Sequence, residues 1–364
     1  MDYVHGGDIY TYEGMLDFSA NINPFGPSRK VKEAVASSAE SIGVYPDSRS
    51  GKLRKALAEK ENIDGEMLVF GNGAADLIFS VVFAERPRKA VLTAPSFSEY
   101  AQALKAAGCE IVYHYLKEEE DFQLGEDYLD KLTEDTDLIF LCSPDNPTGQ
   151  TVEKGLLLQI IQRCKERRIR LVLDECFYEF QENTKDILSA KEALETKEVF
   201  LMRAFTKMYA MPGLRLGYGI SSDRDFLERL ACVRQPWSVS VTAQTAGLAA
   251  LKEPERAEMT RLFVSEERKM MEKELGRIGV RYFPSSANYM LLKSNYDLFE
   301  RLKEYNILIR DCSNYEGLRK GFYRTAIKGS SENRQLLSAL EKIYSLGCKR
   351  AGEKEGEPIC QNAL

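Results

Sequence analysis

Between residues 50 and 235, short apolar runs alternate with longer segments of helical period, and that alternation constrains the fold more than any other feature of the chain. Runs rich in β-branched, aromatic and aliphatic residues fall at 67–70, 90–93, 111–115, 138–142, 171–173 and 199–202. Helical patterns fall at 51–61, 74–84, 97–107 and 152–167. Such an order demands crossover connections, and hence a mainly parallel sheet with helices on both faces. The run Leu138-Ile139-Phe140-Leu141 is apolar at every position, as a strand covered on both faces must be. Further on the pattern changes. A long helix is expected over about 254–277, strands at 288–292, 307–310 and 322–327, and helices at 296–304 and from Glu332. The expectation is therefore an α/β fold with a large domain at 31–240 and a smaller α+β domain at 241–347. An N-terminal arm, 1–30, joins the small domain, and 348–364, rich in Lys, Glu and Gly, forms a mobile tail.

Composition removes several functions. Lys and Arg total 50 against 56 Asp and Glu, and a net charge of -6 argues against a dedicated nucleic-acid binder. No apolar run nears the ~20 residues of a membrane span, and the best, 77–84, reads as a buried helix. The start, Met1-Asp2-Tyr3-Val4-His5, lacks the charged and apolar regions of a signal peptide, so a cytoplasmic protein is expected. The eight cysteines (109, 142, 164, 176, 232, 312, 348 and 360) include no C-x-x-C pair and read as reduced thiols, Cys348 and Cys360 being incidental. With only His5 and His114, no metal site is expected, and His114 reads as a surface or satisfied strand histidine. A serine hydrolase is disfavoured because no G-x-S-x-G elbow is present.

The sharpest local feature is Thr206-Lys207-Met208-Tyr209-Ala210-Met211-Pro212-Gly213-Leu214-Arg215. A lysine after an apolar run, followed by a Pro-Gly turn and an arginine, suits covalent chemistry with a carbonyl group beside an anion site. Alone, such a lysine would read as a surface residue. Four other features accompany it. Phe70-Gly71-Asn72-Gly73-Ala74-Ala75 is a glycine-rich turn opening a helix, where free N–H groups bind phosphate. The segment Ala94–Tyr100 offers Phe97 for stacking on a flat ring, and Ser143-Pro144-Asp145-Asn146-Pro147-Thr148-Gly149 forms a turn after a buried strand. Leu171-Val172-Leu173-Asp174 places a carboxylate at the carboxyl end of an apolar strand, where open α/β sheets bind ligands.

In this order the features resemble the pyridoxal-phosphate enzymes of fold type I, the aminotransferase class I/II superfamily, over about residues 5–346. The resemblance implies that Lys207 carries the cofactor covalently and that Asp174 keeps its pyridine nitrogen protonated. It implies that Asn146 bonds the ring oxygen, that Phe97 stacks on the ring, and that Gly73, Ala74, Ala75, Thr206 and Arg215 hold the phosphate. Tyr45 matches a tyrosine that reaches the neighbouring subunit's phosphate, implying a homodimer with shared sites. Two departures stand out: Phe177 replaces a frequent tyrosine, and Ala204 replaces a hydroxyl residue near the phosphate.

The chain ends resemble the threonine-phosphate decarboxylases within that superfamily. The matching stretches are His5-Gly6-Gly7, the segment 17–27 with Asn21-Ile22-Asn23-Pro24, the segment 307–318, and Phe322-Tyr323-Arg324. This implies that Arg324 faces a substrate carboxylate, and that Arg310 with His5 and Gly6 faces a phosphate, with Asn21 nearby. Arginine suits both tasks through its planar fork. The implied reaction is decarboxylation of O-phospho-L-threonine, or a close phospho-amino acid, to (R)-1-amino-2-propanol phosphate for the cobalamin side chain. The alternative is an aminotransferase acting on histidinol phosphate or an aromatic amino acid.

Overall fold

The computed structural model describes residues 5–182 and 187–352. The N-terminal segment contributes β1 (Leu16–Asp17) and α1 (Arg29–Ser37). Next come α2 (Gly51–Glu61), β2 (Leu68–Gly71), α3 (Gly73–Glu85), β3 (Lys89–Ala94), α4 (Ser98–Ala106) and β4 (Glu110–Tyr115). They are followed by β5 (Leu138–Cys142), α5 (Lys154–Arg167), β6 (Arg170–Asp174), α6 (Ala190–Ala193), β7 (Val199–Ala204) and β8 (Gly217–Ile220). Strands β2 to β8 form one seven-stranded sheet in the order β2-β8-β7-β6-β5-β3-β4. All neighbours are parallel except β8, which runs antiparallel to β2 and β7.

Both faces of this sheet are covered, which is why β5, and β6 from Leu171 to Leu173, read as unbroken apolar runs. Ile139, Leu141, Leu171 and Leu173 face a core shared with Leu53, Leu57 and Ile160. Their neighbours Leu138, Phe140 and Val172 face the opposite core, with Leu77, Ile78 and Val81 of α3. The register aligns Cys142 with Asp174 and Asp174 with Met202, so β5 and β6 finish level at one edge of the sheet. His114 lies buried on β4, edge-on to the Tyr128 ring at 5.3 Å and 3.9 Å from Asp127, outside the cavity described below.

The remaining elements are α7 (Arg224–Val233), α8 (Val241–Ala250), α9 (Pro254–Ile278), β9 (Arg281–Tyr282), β10 (Tyr289–Lys293), α10 (Leu298–Lys303), β11 (Ile307–Leu308), β12 (Arg310–Asp311), β13 (Phe322–Ala326) and α11 (Ser330–Gly352). Four of them make an antiparallel sheet ordered β12-β13-β10-β9, packed on α9 and α11 over a separate apolar core. Strand β1 pairs in parallel with β11, which ties the N-terminal segment to this C-terminal part. Among the described residues no helix is long and apolar enough to cross a membrane.

Three differences from the sequence expectation have physical causes. The single strand expected at 307–310 is two: β11 pairs with β1, and after Ile309 the chain turns to pair β12 with β13. Strand β8 carries no strand signature because two of its four residues are glycines. Helix α11 continues to Gly352, beyond the boundary expected at residue 347, while the tail from residue 353, including Cys360, lies outside the described residues.

The glycines of β8 are a packing requirement. A Cβ at Gly219 would stand 2.0 Å from the ring of Phe200, itself fully buried and edge-on to Phe226. Gly219→Ala is therefore expected to destabilise the fold by about 1–3 kcal/mol, the usual cost of overpacking a filled core. Denaturant unfolding of wild type and variant checks this, and an unchanged midpoint would contradict it.

Candidate active site

A cavity of about 530 Å³ opens at the carboxyl edge of the large sheet, where β6 and β7 meet the N-terminal arm and the antiparallel sheet. Asp174 ends β6 and is only 3% exposed. Its Oδ2 accepts a hydrogen bond from the Tyr100 hydroxyl at 2.6 Å and its Oδ1 accepts one from the Cys176 N–H at 2.9 Å. Burial pushes the carboxyl above its ordinary range, and these two bonds oppose that rise. Tyr100 is stacked on Phe140 at 4.6 Å, so the acid's partner is itself held by the core.

Lys207 lines the same cavity in the loop after β7. Desolvation, reinforced by the nearby Arg324 guanidinium, lowers its amine to about 8. Its Nζ lies 5.3 Å from the Phe177 ring centre, and that ring packs edge-on against Tyr289 at 4.9 Å. The loop is anchored from the N-terminal arm. Asn23 donates its backbone N–H to the Lys207 carbonyl at 3.1 Å and its side-chain amide to the Met208 carbonyl at 2.6 Å.

The glycine-rich turn behaves as its sequence predicts. Gly73 has φ +80 at the start of α3, and a Cβ there would come within 2.6 Å of the Arg215 guanidinium. Gly217 is equally confined, since its Cβ would meet the Ala74 nitrogen at 2.7 Å. Ala74, Ala75, Thr206 and Arg215 all line the cavity. Ala204 lines it too, at the end of β7.

Arg324 is the most connected group of the site. Its Nη2 donates to the Ser19 carbonyl at 2.9 Å, and its Nη1 donates to Asn146 Oδ1 and to the Tyr315 hydroxyl. The Tyr315 hydroxyl also donates to Asn146 Oδ1 at 3.2 Å. Asn146 Oδ1 is thus engaged by protein donors. Its loop is fixed by Asp145, whose carboxylate accepts from Ser96 at 2.6 Å and from Thr148 at 2.9 Å; burial raises this acid to about 7. Arg310 stands opposite Arg324 in the β12–β13 register and donates to Asn314 Oδ1 at 2.8 Å. Two buried polar atoms, Asn21 Oδ1 and Arg324 Nε, have no protein partner.

The arm completes the enclosure. The Gly7 N–H donates to Ser19 Oγ at 2.6 Å, and a Cβ at Gly6 would collide with the Ser19 carbonyl oxygen at 2.2 Å. His5, Gly6, Asn21, Phe97 and Asn146 all line the cavity. Every site residue expected from the sequence is therefore gathered at or beside this cavity except Tyr45. That residue is 78% exposed and its ring lies 4.7 Å from Trp237, away from the cavity of its own chain. Tyr100, Tyr315, Asn23 and Ser19 are additional members. All four lie inside the motif segments, but nothing in one sequence distinguishes them from their neighbours.

Comparison with known proteins gives a consistent picture. The family model described as aminotransferase class I and II matches residues 13–343. The chain is 38% identical to the threonine-phosphate decarboxylase of Salmonella typhimurium, over 94% of this chain and 96% of that protein. It is 36% identical to the putative threonine-phosphate decarboxylase of Caldanaerobacter subterraneus, over 95% of each. Among solved structures, the histidinol-phosphate aminotransferase from Clostridium acetobutylicum superposes with a TM-score of 0.86 at 29% identity, covering 91% of this chain and all of that one.

The depressed lysine gives a direct test. A protonated amine does not attack a carbonyl, so reductive labelling of ligand-free protein by a small aldehyde should reach half its maximal rate at Lys207 near pH 8. An ordinary lysine would need about 10.4. Removing the Arg324 charge with Arg324→Gln should move the midpoint upward. Peptide mass mapping reads the result, and a midpoint above 10 in wild type would contradict the account.

Proposed function

The chain belongs to the aminotransferase class I and II family, and we propose that it is a pyridoxal-phosphate-dependent decarboxylase of O-phospho-L-threonine, releasing (R)-1-amino-2-propanol O-phosphate for the cobalamin side chain. The observation that carries this reading is the arm. His5 and Gly6 enter a cavity that already holds Arg310 and Arg324, which provides for two anionic groups on one small substrate. Stronger kinship to the decarboxylases than to the aminotransferase of known structure supports the same choice.

The residues present suit pyridoxal phosphate. A cavity lysine with a lowered pKa can hold an aldehyde, and a desolvated carboxylate 3% exposed is favourable opposite a protonated ring nitrogen. Gly73 leaves room only for the Arg215 guanidinium beside the N-terminus of α3, a donor set suited to phosphate. The unpartnered Asn21 and Arg324 atoms leave hydrogen-bonding capacity for ligand. When bound, the cofactor supplies an electron sink for the electron pair of the bond broken at the substrate Cα.

The remaining work falls to side chains. Lys207 would hold the cofactor and, whenever its amine is free, a pKa of about 8 lets it give or take a proton near neutral pH. Asp174 would keep a proton on the ring nitrogen, Phe97 would stack on the ring, and Asn146 would bind the ring oxygen, with Phe177 lining the same cavity. Gly73, Ala74, Ala75, Thr206 and Arg215 hold the cofactor phosphate. Arg324 binds the substrate carboxylate, while Arg310, His5 and Gly6 bind its phosphate, with Asn21 lining the space between. Fixing both anionic ends sets which bond at Cα is aligned for cleavage. The carbon–carbon bond breaks, carbon dioxide leaves, and a proton delivered to Cα completes the amine. Tyr45 is assigned to the partner's phosphate site in a homodimer, an assignment supported by its exposed ring. A cytoplasmic setting fits the buried, unpaired Cys109, Cys142, Cys164 and Cys312.

Decarboxylation returns the cofactor to its starting form, so O-phospho-L-threonine alone should release carbon dioxide over many turnovers without any 2-oxo acid. Turnover that appears only with histidinol phosphate and 2-oxoglutarate together would replace this reading by the aminotransferase one.

A further inference from the structure

Glu99 is a charged group within the substrate region that the mechanism above does not use. It sits in the first turn of α4, 7% exposed, two residues after Phe97. Its Oε1 lies 3.2 Å from His5 Nδ1, and its Oε2 accepts from the Ser98 hydroxyl at 3.2 Å. Burial raises its pKa, and the charges of His5 and Arg310 work against that rise. A carboxylate is kept in so desolvated a place only where partners compensate it. Here the main compensating partner is His5 of the arm, which is also held by the Gly7–Ser19 hydrogen bond.

The two attachments lie on different parts of the molecule. Ser19 follows β1, which pairs with β11, whereas Glu99 belongs to a helix packed on the seven-stranded sheet. The His5–Glu99 contact therefore draws the arm across the cavity mouth from one part to the other. It also selects a ring edge: in the imidazolium form Nδ1–H donates to the Glu99 carboxylate, and Nε2–H is left to donate to an anionic ligand. His5 borders both the main cavity and a smaller one of about 240 Å³ behind Phe97, so rotation of the ring would turn it out of the substrate space.

We propose that Glu99 is a positioning residue for substrate-phosphate recognition, holding His5 over the cavity with Nε2 presented to the phosphate. This rests on the assignment of His5 to the phosphate made above. Glu99 touches neither substrate nor cofactor; it acts through His5.

The test is a double-mutant cycle on the holoenzyme with Glu99→Gln, His5→Ala and the double variant. Glutamine is isosteric and removes a charge from a buried place, so packing is retained, while His5→Ala reaches the same contact from its half-exposed side. With O-phospho-L-threonine, each single change should raise KM about tenfold, the scale of one charge-assisted bond, and Glu99→Gln should act on KM more than on kcat. The double variant should be no worse than His5→Ala alone. A second readout is independent of turnover. With only two histidines, the His5 ring resonance is assigned by its loss in His5→Ala, and inorganic phosphate should shift it. Glu99→Gln should need about tenfold more phosphate for the same shift. Additive KM effects, or an unchanged phosphate titration in Glu99→Gln, would overturn the proposal. Failure of the decarboxylase reading would show separately, as absent carbon dioxide from wild type with the phosphate-induced shift intact.

Discussion

Lys207 and Arg324 are held near one another in a single desolvated cavity, and their mutual repulsion organises much of what surrounds them. Burial, with the Arg324 charge adding to it, brings the lysine to about 8. Neither cation can relax away from the other. Arg324 is fixed by Ser19, Asn146 and Tyr315, and the Lys207 loop is fixed by Asn23. Two positive groups in such a place are favourable only when anions join them, which is the physical reason that the cavity suits a phosphate-bearing cofactor and a doubly anionic substrate.

The scaffold makes this possible because the restraints come from different elements. Asp174 is carried by a parallel strand covered on both faces, Arg324 by the antiparallel sheet, and Ser19 and Asn23 by the arm. Arg324 thus joins three regions of the chain at one guanidinium. Its substitution is expected to disturb the position of the arm as well as carboxylate binding, so it cannot serve alone to assign a role.

Much of this was legible in the sequence, for reasons that can be traced. The strands β5 and β6 are recognisable because both faces are buried and no polar residue falls between Arg170 and Asp174 in β6 or anywhere in Leu138–Leu141 of β5. Lys207, Asn146, Gly73 and Arg215 are recognisable because each sits in a short motif whose spacing is set by backbone geometry. Strand β8 was not legible: Gly219 is there to admit Phe200, a demand made by a residue distant in sequence. No sequence signal separates Tyr100 and Tyr315 from their neighbours; only the structure shows that their hydroxyls reach Asp174 and Asn146. Glu99 carries no sequence signal of its own, and its significance comes from His5, which is 94 positions away along the chain and 3.2 Å away in space.

The central claim is that one cavity orients a substrate by its two anionic ends, carboxylate on Arg324 and phosphate on Arg310 and His5. The most direct measurement is a crystal structure of the Lys207→Ala protein with pyridoxal phosphate and O-phospho-L-threonine. The account predicts carboxylate oxygens within hydrogen-bonding distance of the Arg324 guanidinium and phosphate oxygens within the same reach of Arg310 and His5. A substrate bound the other way round, or with its phosphate clear of both Arg310 and His5, would contradict it.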